Sequence, residues 1–264
     1  MKISNIVPFL MEKQNEDLIK NSFIVNTNKG NYRTIKKGDR VKNKLFVLVF
    51  VLAMISILIS CQQRNTEDKI VISSFKDLLD TIPENVKADD MYGGWALTAP
   101  DGNERFIWSK DFSKSPYHDV LIEFDSKPFV DAGLDISKLP SNIVLNKKIM
   151  VGVKLSNENL TNNGEVTPLD SLKNIIEIKP NQIVYHSELN HYGINLENGN
   201  IFSWSSNMLN NESDIQFLLN PKILTDAGVN PTKVTGWEYK KTTVKDSNGT
   251  EIEVYKFIKS FNLK

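Results

Sequence analysis

The feature that most restricts how this chain folds is an internal repeat, in which a segment that begins at Ser74 recurs 97 residues later from Ser171. Three blocks of matched residues follow one another in the same order in both copies, with a one-residue shift between blocks. The matches include Ser74–Asp80 with Ser171–Glu177, Gly102–Asn103 with Gly199–Asn200, Phe106–Ser109 with Phe202–Ser205, and Asp131–Gly133 with Asp226–Gly228. Identity within the blocks is modest, so their shared order is the argument against chance. The sequence predicts two similar folding units.

Each copy opens with the pattern of a short helix. In the first copy, Ser74 and Asp77 form a capping pair ahead of apolar residues that share one helical face. Ser73 is an alternative N-cap for the same helix. We therefore expect folding to begin near Ile70, after a polar tether at 61–69.

Turn residues between alternating apolar segments predict a β-hairpin in each copy, followed by further strands. The last two strands form a terminal hairpin, which the sequence predicts for the second copy alone. The predicted strands are Trp95–Thr98, Arg105–Ser109, Val120–Phe124 and Ile149–Leu155 in the first copy, and Tyr192–Leu196, Ile201–Ser205, Ile215–Leu219, Trp237–Val244 and Ile252–Ile258 in the second.

A second short helix is predicted in each copy. Asp125 and Asn220 are N-cap residue types, and Gly133 and Gly228 suit the left-handed residue that ends a helix. The sequence offers no long helical crossover for parallel pairing, so we expect antiparallel strands. The predicted fold class is α+β, with two tandem copies of a small antiparallel-sheet unit with two short helices each.

The N-terminal part has the layout of an export signal. Two lysines precede an apolar run at 45–59, which ends in Leu58-Ile59-Ser60-Cys61 and gives way at once to polar residues. This motif resembles the lipobox of bacterial lipoproteins, in which the cysteine receives a diacylglyceryl group and a signal peptidase cleaves in front of it. The resemblance implies lipid attachment at Cys61 and a protein held on the extracytoplasmic face of the cell membrane.

The alternative interpretation of the apolar run is an uncleaved membrane-spanning helix. The run has 15 residues, whereas a helix that crosses the hydrocarbon core needs about 20. Two acyl chains anchor a protein stably, while one binds only marginally. Lipid on Cys61 would therefore hold the protein at the membrane without a transmembrane helix.

The first 40 residues are longer and more acidic than the start of a signal peptide. Our hypothesis is that translation begins at Val41, and the alternative is a genuine long leading region. The predicted organisation is a mis-called extension at 1–40, a signal peptide at 41–60, a polar tether at 61–69, and α+β repeats at 70–165 and 166–264.

Charge and cysteine content exclude several classes of function. The chain has 32 basic and 32 acidic residues, of which 10 and 4 precede Cys61, so the exported part carries a formal charge of about −6. This mildly acidic body gives no reason to expect nucleic acid as a partner. Since Cys61 is the only cysteine, no internal disulfide or multi-cysteine metal site can form.

Short motifs that suggest chemistry are incomplete. His186, Glu188 and His191 resemble a zinc motif, but the histidines are five residues apart rather than four, and in one strand they would face opposite sides. Ser73 and Lys76 form the Ser-x-x-Lys of penicillin-recognising enzymes without its partner motifs. We therefore predict no metal and no cofactor.

Recurring aromatic and acidic residues have two interpretations each. Phe106 and Trp108 share one strand face with period two, as do Phe202 and Trp204, which favours core packing over an aromatic platform for a sugar or peptide. Asp131 recurs at Asp226 beside each helix end. Hydrogen bonding to the backbone is the expected role of these two aspartates.

The leading functional hypothesis is a non-enzymatic, surface-anchored module that binds a small ligand or an envelope protein, through the groove between its units. The alternative is a cell-envelope hydrolase that uses carboxylates among Asp89, Asp90, Asp119 and Glu123. Two carboxylates within about 10 Å of each other in a cleft would favour hydrolysis.

Overall fold

A computed structural model of the protein describes residues 66–110, 118–155, 166–208, 213–246 and 248–263. These residues belong to one compact unit. Within the described ranges, no helix combines the length and the apolar character needed to span a bilayer. The predictions for residues 1–65, including the signal peptide, the late start at Val41 and the lipid on Cys61, lie outside the described residues.

The described residues of the first half form two helices and six strands. Five short 3-10 turns connect elements of the two halves, at Pro83–Asn85, Ile136–Lys138, Ser141–Ile143, Glu197–Gly199 and Pro231–Lys233. The elements of the first half are α1 (66–81), β1 (Val86–Asp89), β2 (Gly94–Thr98), β3 (Glu104–Ser109), β4 (Val120–Asp125), α2 (Lys127–Asp131), β5 (Val144–Leu145) and β6 (Lys148–Val153).

The second half repeats this order of elements. Its elements are α3 (Pro168–Ile178), β7 (Ile183–His186), β8 (His191–Asn195), β9 (Ile201–Ser205), β10 (Ile215–Leu219), α4 (Lys222–Asp226), β11 (Glu238–Lys245) and β12 (Glu251–Phe261).

Each half builds one six-stranded sheet in which every pair of neighbours is antiparallel. The strand order is β1-β2-β3-β4-β6-β5 in sheet A and β7-β8-β9-β10-β12-β11 in sheet B, so the two orders correspond strand by strand. The register corresponds as well, because Phe106 pairs with Ile122 as Phe202 pairs with Phe217. The prediction of antiparallel sheets is confirmed, and two such sheets with few helices fit either an α+β or a mostly β protein.

Three strands were missed, and the terminal hairpin was misassigned. The missed strands β1, β5 and β7 have two to four residues each and alternate weakly in polarity. Because β5 pairs with β6 as β11 pairs with β12, the first half has its own version of the terminal hairpin. The prediction that the second copy alone has this hairpin is therefore wrong.

The first helix of each half begins earlier than predicted. Helix α1 already includes residue 66, so Ser73 and Ser74 lie inside it, and residues 66–69 are helical rather than part of a tether. The Ser74 hydroxyl donates to the carbonyl of Val71 at 3.0 Å, a bond that is local to the helix. Helix α3 begins at Pro168, where the side chain of Thr167 accepts the N–H of Asp170 at 3.2 Å.

The second short helices end where their sequences predict, but they begin one residue later, because the N-cap positions are held by Ser126 and Pro221. Asp125 accepts the backbone N–H of Lys127 at 2.9 Å, and Asn220 accepts that of Lys222 at 3.0 Å. Gly133 and Gly228 follow these helices with φ values of 106° and 108°, which only glycine adopts without strain. Local capping chemistry therefore fixes both helices at equivalent points.

The core lies between the two sheets, and aromatic rings of both halves build it. Phe75 of α1 contacts Trp108 of sheet A and Trp204 of sheet B edge-on, with centroids 5.6 and 5.0 Å away. Phe106 stacks on Phe202 across the sheets at 4.0 Å. These four strand aromatics are fully buried, which confirms that they are core residues rather than an exposed platform.

Hydrogen bonds tie the helices of each half to the sheet of the other. Trp204 of sheet B donates its indole N–H to Ser74 of α1 at 2.9 Å, and Trp108 of sheet A donates to the carbonyl of Pro168 in α3 at 3.1 Å. Ser171 of α3 also donates to the carbonyl of Ser109. The two halves are therefore interlocked.

The halves meet most closely at their paired glycines. Asp135 donates its N–H to the carbonyl of Ala227, and Asn230 donates to that of Ala132, each at 2.9 Å. A Cβ on Gly133 or on Gly228 would lie 2.9 Å from the carbonyl oxygen of the other glycine. These reciprocal contacts define a local twofold axis between the halves.

We predict that Gly228→Ala lowers the free energy of unfolding by about 3 kcal/mol, because the left-handed backbone and the close carbonyl both disfavour a side chain. The matched control is Gly236→Ala, since Gly236 has φ +76° but no atom within 4 Å of the place that a Cβ would take. The control should lose only about 1 kcal/mol. Urea denaturation measures both, and equal losses would show that the close contact contributes nothing.

Candidate functional site

A cleft of about 590 Å³ opens where the two halves meet. Its volume lies within the range of small-ligand sites, about 300 to 1,000 Å³. The first half contributes β6 and the 3-10 turn with Asn142. The second half contributes the turn between β8 and β9, with Asn198 and Asn200, and the start of α4, with Asn220. The cleft walls therefore come from segments far apart in the sequence.

A network of asparagine amides holds the second-half wall of the cleft. Asn198 and Gly199 have φ values of 58° and 73°, as the two central residues of a type I′ hairpin turn do. The buried Asn200 donates to the carbonyl of Glu197 at 3.0 Å and accepts the N–H of Asn220 at 2.8 Å. Asn220 in turn donates to the carbonyl of Asn198 at 2.6 Å. The turn is thus rigidly attached to the end of β10.

Other polar groups of the cleft are available to a ligand. Among the described residues, the side chains of His118, Asn142 and Asn198 have no hydrogen-bond or ion-pair partner. His118 lies directly over Gly152, where a Cβ would approach its ring to 2.7 Å. Lys222 of the cleft is paired with Asp226 at 2.6 Å. The carboxylate of Glu197, also in the lining, has no such partner among the described residues either, so the cleft offers a ligand two amides, one imidazole and one carboxylate.

The position related to the cleft by the local twofold is filled. Lys259 pairs with Phe217 in sheet B as Val151 pairs with Ile122 in sheet A. The Lys259 ammonium reaches into the first half, where it lies 2.6 Å from Asp101 and 2.7 Å from Glu104. Burial raises the pKa of Glu104 to about 7, although Lys259 acts in the opposite direction.

A tryptophan completes the filling of this second position. Trp237 is the equivalent of Asn142. Tyr239 pairs with Phe257 as Val144 pairs with Ile149, and Trp237 and Asn142 each lie two residues before these paired positions. The buried Trp237 ring packs on Phe124 and Phe129 of the first half, with centroids 5.9 and 5.6 Å away. The first half has the smaller side chains Asn142 and Val151 at the equivalent places, and there the cleft is open.

The four candidate hydrolase carboxylates lie outside the cleft lining. Asp89 and Glu123 converge on one guanidinium, that of Arg105, on the outer face of sheet A. Asp119 accepts the Lys154 ammonium at 2.8 Å and the N–H of Leu155 at 2.6 Å. Asp90 is exposed in the turn after β1. These ion pairs and hydrogen bonds stabilise sheet A and its turns.

The expectation that His186 and His191 face opposite sides is wrong. The chain turns between them, so they pair directly across β7 and β8 and share the outer face of sheet B. Glu188 is exposed in the turn. In the described part of the chain, no group of three or more His, Cys, Asp or Glu residues is arranged to hold a metal ion.

The remaining sequence candidates have local roles. Ser73 is exposed, and Lys76 is paired with Asp80, so the Ser-x-x-Lys pattern brings no nucleophile beside a lysine. Asp131 pairs with the ammonium of Lys127 at 2.5 Å, and Asp226 pairs with Lys222. The expectation that both aspartates bond to backbone is therefore replaced by lysine pairing within each short helix.

Comparison with known proteins returned no match among family models, curated proteins or solved structures. The comparison that is informative for this protein is therefore the one between equivalent residues of its two halves. Sequence reasoning missed the cleft residues, although a signal existed. Aligning the copies over their strands places Asn142 opposite Trp237 and Val151 opposite Lys259, and such large changes in size mark the place where the halves differ.

The two buried histidines predict a pH-dependent stability. Desolvation lowers the pKa of each to about 4, and His186 accepts the N–H of Lys245 at 3.0 Å, which requires a neutral ring. The pKa of a histidine in the unfolded chain is about 6.5, so between pH 6.5 and pH 4 the unfolded chain binds more protons than the folded one. The stabilisation is therefore complete above pH 6.5 and is lost as the pH falls below it. We expect a loss of about 2 kcal/mol per histidine at pH 5.

The matched variant is His186→Asn, whose side-chain oxygen keeps an acceptor near the N–H of Lys245 but does not titrate. Its free energy of unfolding, measured in urea from pH 7 to pH 4.5, should fall less steeply with acidification than that of the wild type. Parallel curves would show that His186 does not contribute to the acid sensitivity.

Proposed function

We propose that the protein is a lipid-anchored extracytoplasmic lipoprotein that binds a ligand or an envelope protein in the cleft between its halves, without catalysing a reaction. The observation that carries the proposal is the contrast between the two related positions. One is filled by Trp237 and Lys259, while the other is an open cleft of about 590 Å³. A well-formed concave site with a few free polar groups is the usual form of a binding site.

The lipid anchor is supported by the sequence. The apolar run, the small residue Ser60 and the single cysteine stand in the order that the lipoprotein signal requires. Helix α1 follows within a few residues of Cys61, so the folded body would lie close to the membrane surface. The partner is then the membrane through its lipid, together with whatever occupies the cleft.

We further infer that the folded body arose by duplication, as two tandem copies of a unit with two helices each. Helices α1 and α2 would belong to the first copy, and α3 and α4 to the second. The corresponding strand orders and the reciprocal contacts at Gly133 and Gly228 support this inference. Duplication explains how one of two related positions could change into a cleft while the other remained packed.

The hydrolase alternative has less support. Glu197 and Asp226 are the carboxylates of the cleft lining, and Asp226 is paired with Lys222. Asp89 and Glu123 do lie close together, but they share Arg105 on the sheet face. A hydrolase of the kind expected needs two converging carboxylates in a cleft, one of them a proton donor.

Mass spectrometry of the processed protein should identify a diacylglyceryl-modified Cys61 as its first residue. Cys61→Ala should abolish both the lipid label and cleavage by the lipoprotein peptidase, because the thiol is the acceptor of the lipid. A Cys61→Ala protein that is still cut at the same bond and still partitions into membranes would contradict the anchor.

A photoreactive benzoylphenylalanine at position 197, an exposed residue of the cleft lining, should form an adduct with the occupant in intact cells. The control is the same residue at position 248, which is an exposed asparagine in the turn between β11 and β12. Intact-mass analysis detects both small and protein adducts. Adducts at both positions, or at neither, would argue against specific binding in the cleft.

A further inference from the structure

The first-half wall of the cleft includes an open strand edge. Strand β6 pairs with β4 over its whole length, but on its other side β5 covers only Lys148 and Ile149. Met150, Val151 and Gly152 all line the cleft. The uncovered part of β6 therefore forms one side of the cleft.

The register shows which backbone groups face this edge. The carbonyl of Asp119 faces β3, where it accepts the N–H of Ser109. Because backbone groups alternate in direction along an antiparallel strand, the N–H and C=O of Ile122 in β4 face β6. Ile122 pairs with Val151, and the peptide groups of Met150 and Gly152 then point away from β4. In the described ranges, no backbone partner is present for these two residues on the open side.

This edge lacks the features that normally block strand addition. Proteins protect open edges with charged side chains, prolines or bulges. Residues 150–152 are uncharged and contain no proline. At the equivalent place in sheet B, Lys259 provides a charge and β11 pairs as far as Ile258. The edge is protected in one half and exposed to the cleft in the other.

We propose that the cleft binds an extended, uncharged peptide segment, which adds to sheet A as a strand beside Met150 and Gly152. This inference rests on the proposed binding function of the cleft. Main-chain hydrogen bonds to β6 give such a complex its affinity, as in other cases of strand addition. Three residues of β6 span about 7 Å, which suits a peptide of three to four residues.

The rest of the cleft lining, from both halves, fits the same ligand. A peptide strand on β6 presents its second row of N–H and C=O groups away from the sheet. The free amides of Asn142 and Asn198 can donate and accept hydrogen bonds at once, as peptide groups require. Because Lys222 is neutralised by Asp226, the cleft offers no strong cationic site for an anionic ligand. Those side chains of the bound peptide that lie near Ile143, Val151 and Ile223 would contact apolar surface.

The test uses the purified full-length chain in detergent and two probes at millimolar concentration. One probe is a pooled library of acetylated, amidated tetrapeptides of uncharged residues, and the other is an N-acetylglucosamine tetramer. Hydrogen–deuterium exchange resolves the amides of Met150 and Gly152. The peptide pool should slow exchange at both amides by about tenfold or more, because they become hydrogen-bonded.

Three variants separate the mechanism from simple loss of folding, which thermal melting monitors in each. Met150→Pro removes one edge donor and should weaken peptide binding by about tenfold. Ala88→Pro is the matched control, since its N–H faces the open edge of β1, far from the cleft, and it should leave binding unchanged. Asn142→Trp with Val151→Lys copies the filling of the other half and should abolish binding.

The possible outcomes distinguish the peptide inference from the proposed binding function of the cleft. Oligosaccharide binding without protection of Met150 and Gly152 would overturn the peptide inference and retain a binding function for the cleft. Peptide binding that Met150→Pro leaves intact would likewise exclude strand addition. Failure of both probes to bind the folded wild-type chain would overturn the peptide inference and the proposed binding function together.

Discussion

The structure depends on the interlocking of its two halves around a shared aromatic core. Phe75 contacts the tryptophans of both sheets, and Phe106 stacks on Phe202 across the space between them. Burying each of these rings contributes on the order of 2 to 3 kcal/mol. Because the inner face of each sheet is covered by the other half, neither half has a complete core of its own.

The same arrangement explains why the fold has two equivalent positions, one filled by side chains and the other open as a cleft. Packing around Gly133 and Gly228 fixes the relation of the halves, so equivalent residues face each other twice, once on each side of the local axis. On one side, Trp237 fills the space, and the buried carboxylate of Glu104 is compensated by Lys259. On the other side, smaller and uncharged residues leave a cleft without disturbing the contacts at the axis.

Much of the fold could be predicted from local signals, but the register that brings the cleft residues together could not. The side-chain bonds of Asp125 and Asn220 and the glycines after each short helix act within a few residues, so the sequence alone indicates them. Short strands such as β5 gain their stability from pairing, which leaves little local pattern. The histidines were misplaced because the turn between β7 and β8 was not recognised.

The cleft depends on register between distant segments. Asn142 and Asn198 are brought together only after both sheets have formed and packed, and nothing in either residue's neighbourhood indicates the other. A one-residue difference between the hairpin turns adds to the difficulty. Ala99 donates its N–H to Glu104, while Leu196 donates to Asn200, so Asn200 corresponds to Glu104 rather than to Asn103. Only the structure shows that a neutral amide replaces a buried carboxylate at this place.

A crystal structure of the protein isolated from its own membranes, with any bound material retained, tests the central claim most directly. The account predicts density for an extended segment beside residues 150–152 and a filled position at Trp237 and Lys259. A cleft closed by its own side chains, or density bound at the second position instead, would contradict the claim that the difference between the halves creates the binding site.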